Sequence, residues 1–277
     1  MSVAFELPIT QVTQPRKIRL TGVSQRYRKE GGFYEALQGI DLEVRSGEFL
    51  CIVGPSGCGK STLLHLIAGL DRPSEGEIWL DGRPIKGPGP DRLLILQELG
   101  LFPWLTAREN VEFGLRLKGL PKQERMERAR HYLRLVHLAQ FEESYPHQLS
   151  GGMKQRVALA RALVMQPDVL LMDEPFGALD AQTRDRLHDE LERIWHETGQ
   201  TIIFVTHNVR EAVRLGDRVV VLSYSPGRIK TVLPMTLNRP RHLENVQVAQ
   251  AARYVYDQLR EEIDKSARAE YRNEKTD

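Results

Sequence analysis

The chain has 277 residues, 41% of them hydrophobic, and a net charge of +2, values that suit a globular protein with one large domain or two smaller ones. The small charge, with basic and acidic residues interleaved, leaves no electrostatic footprint for nucleic acid. No apolar run is long enough to span a bilayer, and the N-terminus lacks the basic start and apolar core of a signal peptide. The only cysteines, Cys51 and Cys58, read as reduced thiols of a cytosolic protein, since a disulfide at Cys58 would block the loop around it.

Residues 1–17 read as an N-terminal extension. Segments 16–24, 37–45 and 77–85 are strand-like, with turn signals at Gly47 and at Asp81-Gly82, and predict an antiparallel sheet. FLCIV (49–53) predicts a buried strand that runs into Gly54. There Gly54, Pro55, Ser56, Gly57, Cys58, Gly59, Lys60 and Ser61, followed by Thr62, fit G-x-x-x-x-G-K-[ST] in full. The glycines let consecutive backbone N–H groups curl around a phosphate. Lys60 would reach the β- and γ-phosphates, and the Ser61 hydroxyl would hold Mg²⁺. Leu63, Leu64, Ile67 and Leu70 mark a helix directly after the loop.

LLIL (93–96) predicts a second buried strand, ending at Gln97. The block from about 100 to 166 then interrupts the strands and reads as an inserted helical subdomain. Thr106-Ala107-Arg108-Glu109 has the form of a capping box and opens a helical stretch to about Leu138, broken near Pro121. Further on, LSGGMKQR (149–156) sets Ser150, Gly151 and Gly152 at the start of an apolar-periodic helix. Their hydroxyl and backbone donors, at the positive end of a helix dipole, suit a γ-phosphate already bound by something else. Read alone, the segment is a capped helix start.

VLLM (169–172) leads into Asp173 and Glu174, and IIFV (202–205) into Thr206 and His207. Asp173 suits a Mg²⁺ ligand, direct or through water, and Glu174 can orient or deprotonate an attacking water. Asp180 caps a helix carrying Leu187, Leu191, Ile194 and Trp195, closed by Gly199. A strand pair flanks SPGR (225–228), 244–267 is an amphipathic helix, and 268–277 is a polar, frayed tail. Short strands apolar on both faces predict a parallel sheet, which gathers ligands at its carboxyl edge. The strand-end residues Gln97, Asp173, Glu174 and His207 are therefore expected to share one site with the glycine loop.

Together these motifs resemble, in order, the nucleotide-binding subunit of an ATP-binding cassette (ABC) transporter. Gly54–Thr62 resembles its Walker A loop, Gln97 its Q-loop, LSGGMKQR its signature and VLLMDEP its Walker B strand with catalytic Glu174. GALD (177–180) resembles its D-loop and His207 its switch histidine. The resemblance implies an α/β P-loop NTPase (RecA-like) fold: a parallel sheet core, an antiparallel β subdomain and an inserted α-helical subdomain. It implies an ABC ATPase domain over 18–240, followed by a C-terminal helix and tail over 241–277. ATP and Mg²⁺ are the implied cofactors. Glu174, His207 and Gln97 are implied in catalysis, with Ser61, Gln97 and Asp173 at the metal. Tyr27 is favoured for stacking on adenine, with Phe33 and Tyr34 as rivals in RKEGGFYEAL, which looks like a longer loop than usual. Met153 stands where many members have Gln.

The family pairs two such domains head to tail, each ATP lying between one chain's Walker A loop and the other's signature. That pairing implies a homodimer under membrane permease subunits, which meet the region of Phe102, Pro103 and Trp104, and indirectly a substrate-binding protein. For Trp104 the competing reading is core of the helical subdomain. GPGPDR, FPWLTARENV, DEPFGALDA and SPGRI resemble importers of nitrate, sulfonate, taurine and bicarbonate type, which places the protein peripherally on the cytoplasmic face of the inner membrane. A soluble ABC ATPase acting on nucleic acid or ribosomes is the alternative class; a P-loop GTPase or kinase leaves the signature unexplained.

Overall fold

The computed structural model describes residues 15–29, 32–177 and 179–273. Its elements run, in chain order, β1 (Arg16–Lys29), β2 (Gly32–Arg45), β3 (Phe49–Val53), α1 (Lys60–Ala68), β4 (Glu75–Leu80), β5 (Arg83–Pro84) and β6 (Arg92–Ile95). A helical block follows, with α2 (Ala107–Leu117), α3 (Lys122–Leu135) and α4 (Gly151–Leu163). The chain returns to the sheet through β7 (Val169–Asp173), α5 (Ala181–Thr198), β8 (Thr201–Thr206), α6 (Val209–Leu215), β9 (Arg218–Leu222) and β10 (Ile229–Pro234), and ends in α7 (Val246–Asn273).

The central sheet has the order β10-β9-β3-β8-β7-β6. All neighbours are parallel except the β9–β10 hairpin. Every residue of β3, β7 and β8 is buried, which is why their sequences read as unbroken apolar runs. Alternation along β3 divides the core. Phe49, Cys51 and Val53 pack with α2 to α7 on one face, and Leu50 and Ile52 pack with α1 and the antiparallel sheet on the other. Each of these valine, leucine, isoleucine and phenylalanine side chains contributes about 1.5–3 kcal/mol on burial. The antiparallel sheet, order β2-β1-β4-β5, uses the two-residue Asp81-Gly82 turn, both residues at positive φ, to join β4 to β5.

Several sequence expectations are corrected. The loop expected in RKEGGFYEAL is instead the continuation of β1 and β2, paired as far as Tyr27 with Tyr34, Arg28 with Phe33 and Lys29 with Gly32. The β-branched and aromatic pattern is weak there, and cross-strand pairing carries the strands on; 30–31 lie outside the described residues. The strand expected from residue 16 is borne out: β1 begins at Arg16, with Lys17 bonded to Asp81 and Asp168, and residues 1–14 lie outside the described residues. Leu70 is not on α1, which stops at Gly69 in the left-handed conformation. α7 runs past 267 to Asn273, because no glycine or proline interrupts it, and 274–277 lie outside the described residues. Among the described residues no helix is long and apolar enough to cross a membrane.

Candidate functional site

The phosphate-type loop spans the gap between β3 and α1. Gly57 (φ 73°) and Gly59 (φ 91°) adopt conformations that L side chains rarely take, which turns successive N–H groups to one side. A Cβ on Gly59 would also lie 2.8 Å from the Ala36 carbonyl oxygen, and one on Gly54 2.5 Å from Cys58 Sγ. Cys58 therefore fills the underside of the loop, fully buried, and burial pushes its thiol up. Both cysteines are free. Lys60 Nζ donates to the carbonyls of Gly54 and Pro55 at 2.9 Å each and lies 3.8 Å from Glu174. Ser61 is exposed and Thr62 half-buried on the first turn of α1.

The strand ends bring the carboxylates and the histidine to this loop. Asp173 closes β7, 9% exposed. Glu174 follows in the left-handed region (φ 44°), held by its N–H to Val205 and by the Gly177 N–H to its own carbonyl. A non-glycine residue in this conformation is strained, and the strain is sustained by those two bonds. His207 Nδ1 lies 2.7 Å from Glu174 Oε2. Gln97 stands two residues beyond β6, exposed and without a hydrogen bond among the described residues.

The second glycine segment is built differently. Ser150 caps α4, its hydroxyl accepting the Met153 N–H at 3.3 Å. A Cβ on Gly152 would lie 2.6 Å from Thr183 Cγ2, so glycine there permits close approach of α4 to α5. A Cβ on Gly151 would rest in van der Waals contact with Leu179 Cδ2, at 3.4 Å. Buried Gln155 donates to the Pro175 carbonyl, tying α4 to the residue after Glu174. Asp180 accepts the Thr183 N–H at 3.0 Å, and that bond holds its carboxyl below the ordinary value. Among the described residues no hydrogen bond or ion pair joins 150–152 to 54–61. Ala178, inside GALD, lies outside the description.

Two of the aromatic candidates contact the loop or the helix after it. Tyr27, 36% exposed, bonds Asp71 at 3.2 Å and contacts Thr62; burial is the main cause pushing its phenol up. Tyr34 donates to the Gly57 carbonyl at 3.2 Å, and Phe33 is 76% exposed. Trp104 is 69% exposed, which removes the core reading; Phe102 bridges it to Phe113 at centroid distances of 5.5 and 4.5 Å. Buried Asn110 shapes that loop, accepting the Phe102 N–H and donating to the carbonyls of Phe102, Leu105 and Thr106.

Sequence reading missed Asn110 and the group of Glu211, His188 and Arg184, and named Thr206 only as a strand end. Asn110 reads as an ordinary polar residue of a helix. His188 takes an apolar-face position beside Leu187 and Leu191, the one signal that could have flagged it.

The ABC transporter family profile matches residues 37–177. The chain is 50% identical over 250 residues to an uncharacterised ABC transporter ATP-binding protein of Methanocaldococcus jannaschii, covering 90% of this chain and 94% of that one. It is 51% identical over 223 residues to the nitrate import ATP-binding protein of Synechocystis sp., covering 80% and 83%. It is 51% identical over 214 residues to the bicarbonate transport ATP-binding protein of Synechococcus elongatus, covering 76% of this chain and 32% of that longer protein. Among solved structures, a dimeric ATP-binding cassette in a post-hydrolysis state with ADP and Pi matches with TM-score 0.71 and 35% identity, over 80% of this chain and all of that one.

Proposed function

The chain belongs to the ABC transporter ATP-binding family, and from that membership we propose that two copies share their phosphate sites while hydrolysing ATP to drive an importer of small anions. The protein is an ABC-type ATPase, a transport-coupled subunit of P-loop fold. Nitrate and bicarbonate are the cargoes in the names of its relatives, and this chain is assigned a cargo of that class. Those names offer no support for the soluble, non-transport alternative. The observation that carries the reading is the convergence of Lys60, Glu174 and His207 on the mouth of the glycine loop.

Lys60 exchanges its bonds to Gly54 and Pro55 for phosphate oxygens when ATP enters. Glu174 then accepts a proton from water as the water oxygen attacks the γ-phosphorus and the bond to the bridging oxygen breaks. His207, bonded to Glu174, holds the carboxylate in line. The Ser61 hydroxyl, the Asp173 carboxylate and the Gln97 amide would supply oxygen ligands of the kind Mg²⁺ prefers. Among the described residues no group of three or more His, Cys, Asp or Glu is gathered as a metal site. Mg²⁺ there would neutralise developing charge on the β- and γ-oxygens.

Ser150, Gly151 and Gly152 serve the γ-phosphate of the partner's ATP, in a head-to-tail pair. Domain limits follow the family: an ATPase domain over 18–240, a helical subdomain over about 100–166 and a C-terminal helix after 241. Adenine stacks on an aromatic ring beside the loop, Tyr27 first. Permease subunits dock at Phe102 and Trp104, and through them the chain sits on the cytoplasmic face of the membrane and is linked to a substrate-binding protein. Glu174→Gln tests the chemistry: ATP binding persists, hydrolysis falls by at least ~10²-fold, and an ATP-bound dimer accumulates on size exclusion. Hydrolysis at the parental rate would remove Glu174 from the mechanism.

A further inference from the structure

Glu211, a buried carboxylate that no step above uses, joins the two loops that carry the reacting side chains. It lies on α6, four residues after His207, 6% exposed. One carboxylate oxygen accepts the Thr206 hydroxyl at 2.6 Å, and that hydroxyl oxygen accepts the Asn208 N–H at 2.9 Å. Both neighbours of His207 are thereby held through one side chain. The other carboxylate oxygen lies 3.5 Å from Arg184 Nε and 3.5 Å from His188 Nε2. Arg184 in turn donates to the carbonyls of Phe176 at 3.3 Å and Leu179 at 2.7 Å, in the segment after Glu174. His188, also buried, meets the Phe176 ring edge-on at 5.3 Å. Its ring nitrogens make no hydrogen bond of good geometry among the described residues.

Burying a carboxylate is costly unless donors or cations meet it. Burial does push Glu211 up, but His188, Thr206 and Arg184 outweigh it and hold the carboxyl below its ordinary value. The placement has a mechanical use. Glu174 and His207 each lie one residue beyond the last paired residue of their strand, Asp173 of β7 (with Val205) and Thr206 of β8 (with Val53), so the ladder alone does not set their side chains. A displacement of reacting groups by ~1 Å costs on the order of 10²-fold in rate.

We propose that Glu211 is a positioning residue that, with Arg184 and His188, locks the His207 loop against Phe176 and Leu179, keeping His207 on Glu174. The inference rests on the roles given above to Glu174 and His207. The test is steady-state ATP hydrolysis by the full chain, with nucleotide affinity and thermal unfolding measured in parallel. Glu211→Gln lowers kcat by about 10- to 100-fold, while KM and ATP affinity stay within about twofold. Thr206→Val reproduces the loss, and Thr206→Ser, which keeps the hydroxyl, recovers the rate. On a His207→Ala background Glu211→Gln costs nothing further, because it acts through His207.

A parental kcat in Glu211→Gln beside an impaired His207→Ala overturns the inference alone. So does a full additional loss on the His207→Ala background, or equal activity of Thr206→Val and Thr206→Ser. If Glu211→Gln does not fold, the two Thr206 variants decide. A parental rate in His207→Ala is a separate result: it overturns the role of His207, and the route through it with it.

Discussion

Gly57 and Gly59 sit in one loop, both at positive φ, yet only Gly59 is also hemmed in by backbone. Alanine at Gly57 meets only the conformational penalty, since no atom lies within 4 Å of its Cβ. Alanine at Gly59 meets that penalty and the Ala36 carbonyl as well, so the loop must shift. Gly59→Ala is therefore expected to weaken ATP binding at least ~10-fold, and Gly57→Ala clearly less, since left-handed strain alone is worth about 1–3 kcal/mol. Titration with a fluorescent ATP analogue checks the order, and equal losses would refute the steric account. The motif pattern marks both glycines alike. The distinction comes from Ala36 on β2, a neighbour that no local pattern names.

At the scale of elements, α7 is clamped to the β9–β10 hairpin by Glu262. Its carboxylate, 3% exposed at the residue level, accepts the Tyr224 N–H at 2.9 Å and meets Lys230 at 3.2 Å and Lys265 at 2.9 Å. Burial pushes the carboxyl up, but Lys265, the Tyr224 N–H and Lys230 prevail and leave it below its ordinary value of 4.5. A carboxyl depressed on folding stabilises the native state above its unfolded pKa and loses that contribution as pH falls through the folded one. Glu262→Gln should thus cost about 2 kcal/mol near pH 7, the scale of charge-assisted bonds. The gap from the parent should narrow below about pH 4.5. Urea denaturation at stepped pH measures it, and a gap constant with pH would exclude the clamp. One turn further on, the Ser266 hydroxyl lies 3.5 Å from the Ser56 carbonyl, so the same helix reaches the phosphate loop. The amphipathic period predicts α7; which loops it touches is set by the hairpin beneath it.

For the whole molecule the question is why one chain carries two glycine-led helix starts, at 54–61 and at 150–152. Among the described residues the Ser150–Gly152 segment shares no hydrogen bond with the glycine loop of its own chain, and the shared-site proposal assigns it to the ATP of a second copy. Lys60→Ala disables a chain's own loop. Gly151→Asp places a negative charge where the γ-phosphate belongs, and its Cβ, 3.4 Å from Leu179 Cδ2, fits without backbone change. Each parent homodimer should trap no ATP. A heterodimer of the two variants combines both defects in one site and restores the other, so it should trap about one ATP per dimer after rapid desalting, the stoichiometry of a shared site. A heterodimer that forms yet traps no more than its parents would refute sharing.

Local sequence determined the strands β3, β7 and β8, the capping of α2 and α5 by Thr106 and Asp180, and the phosphate loop, because each depends on side chains or backbone freedom within a few residues. The tertiary structure alone decided that Glu174 meets His207, that Lys60 reaches Glu174, and that Glu211 ties the two loops together. Those contacts join residues dozens to more than a hundred positions apart or, as with Glu211, depend on how α5 and α6 pack. The parallel order of β3, β8 and β7 carries them to one edge, and no local pattern encodes that order.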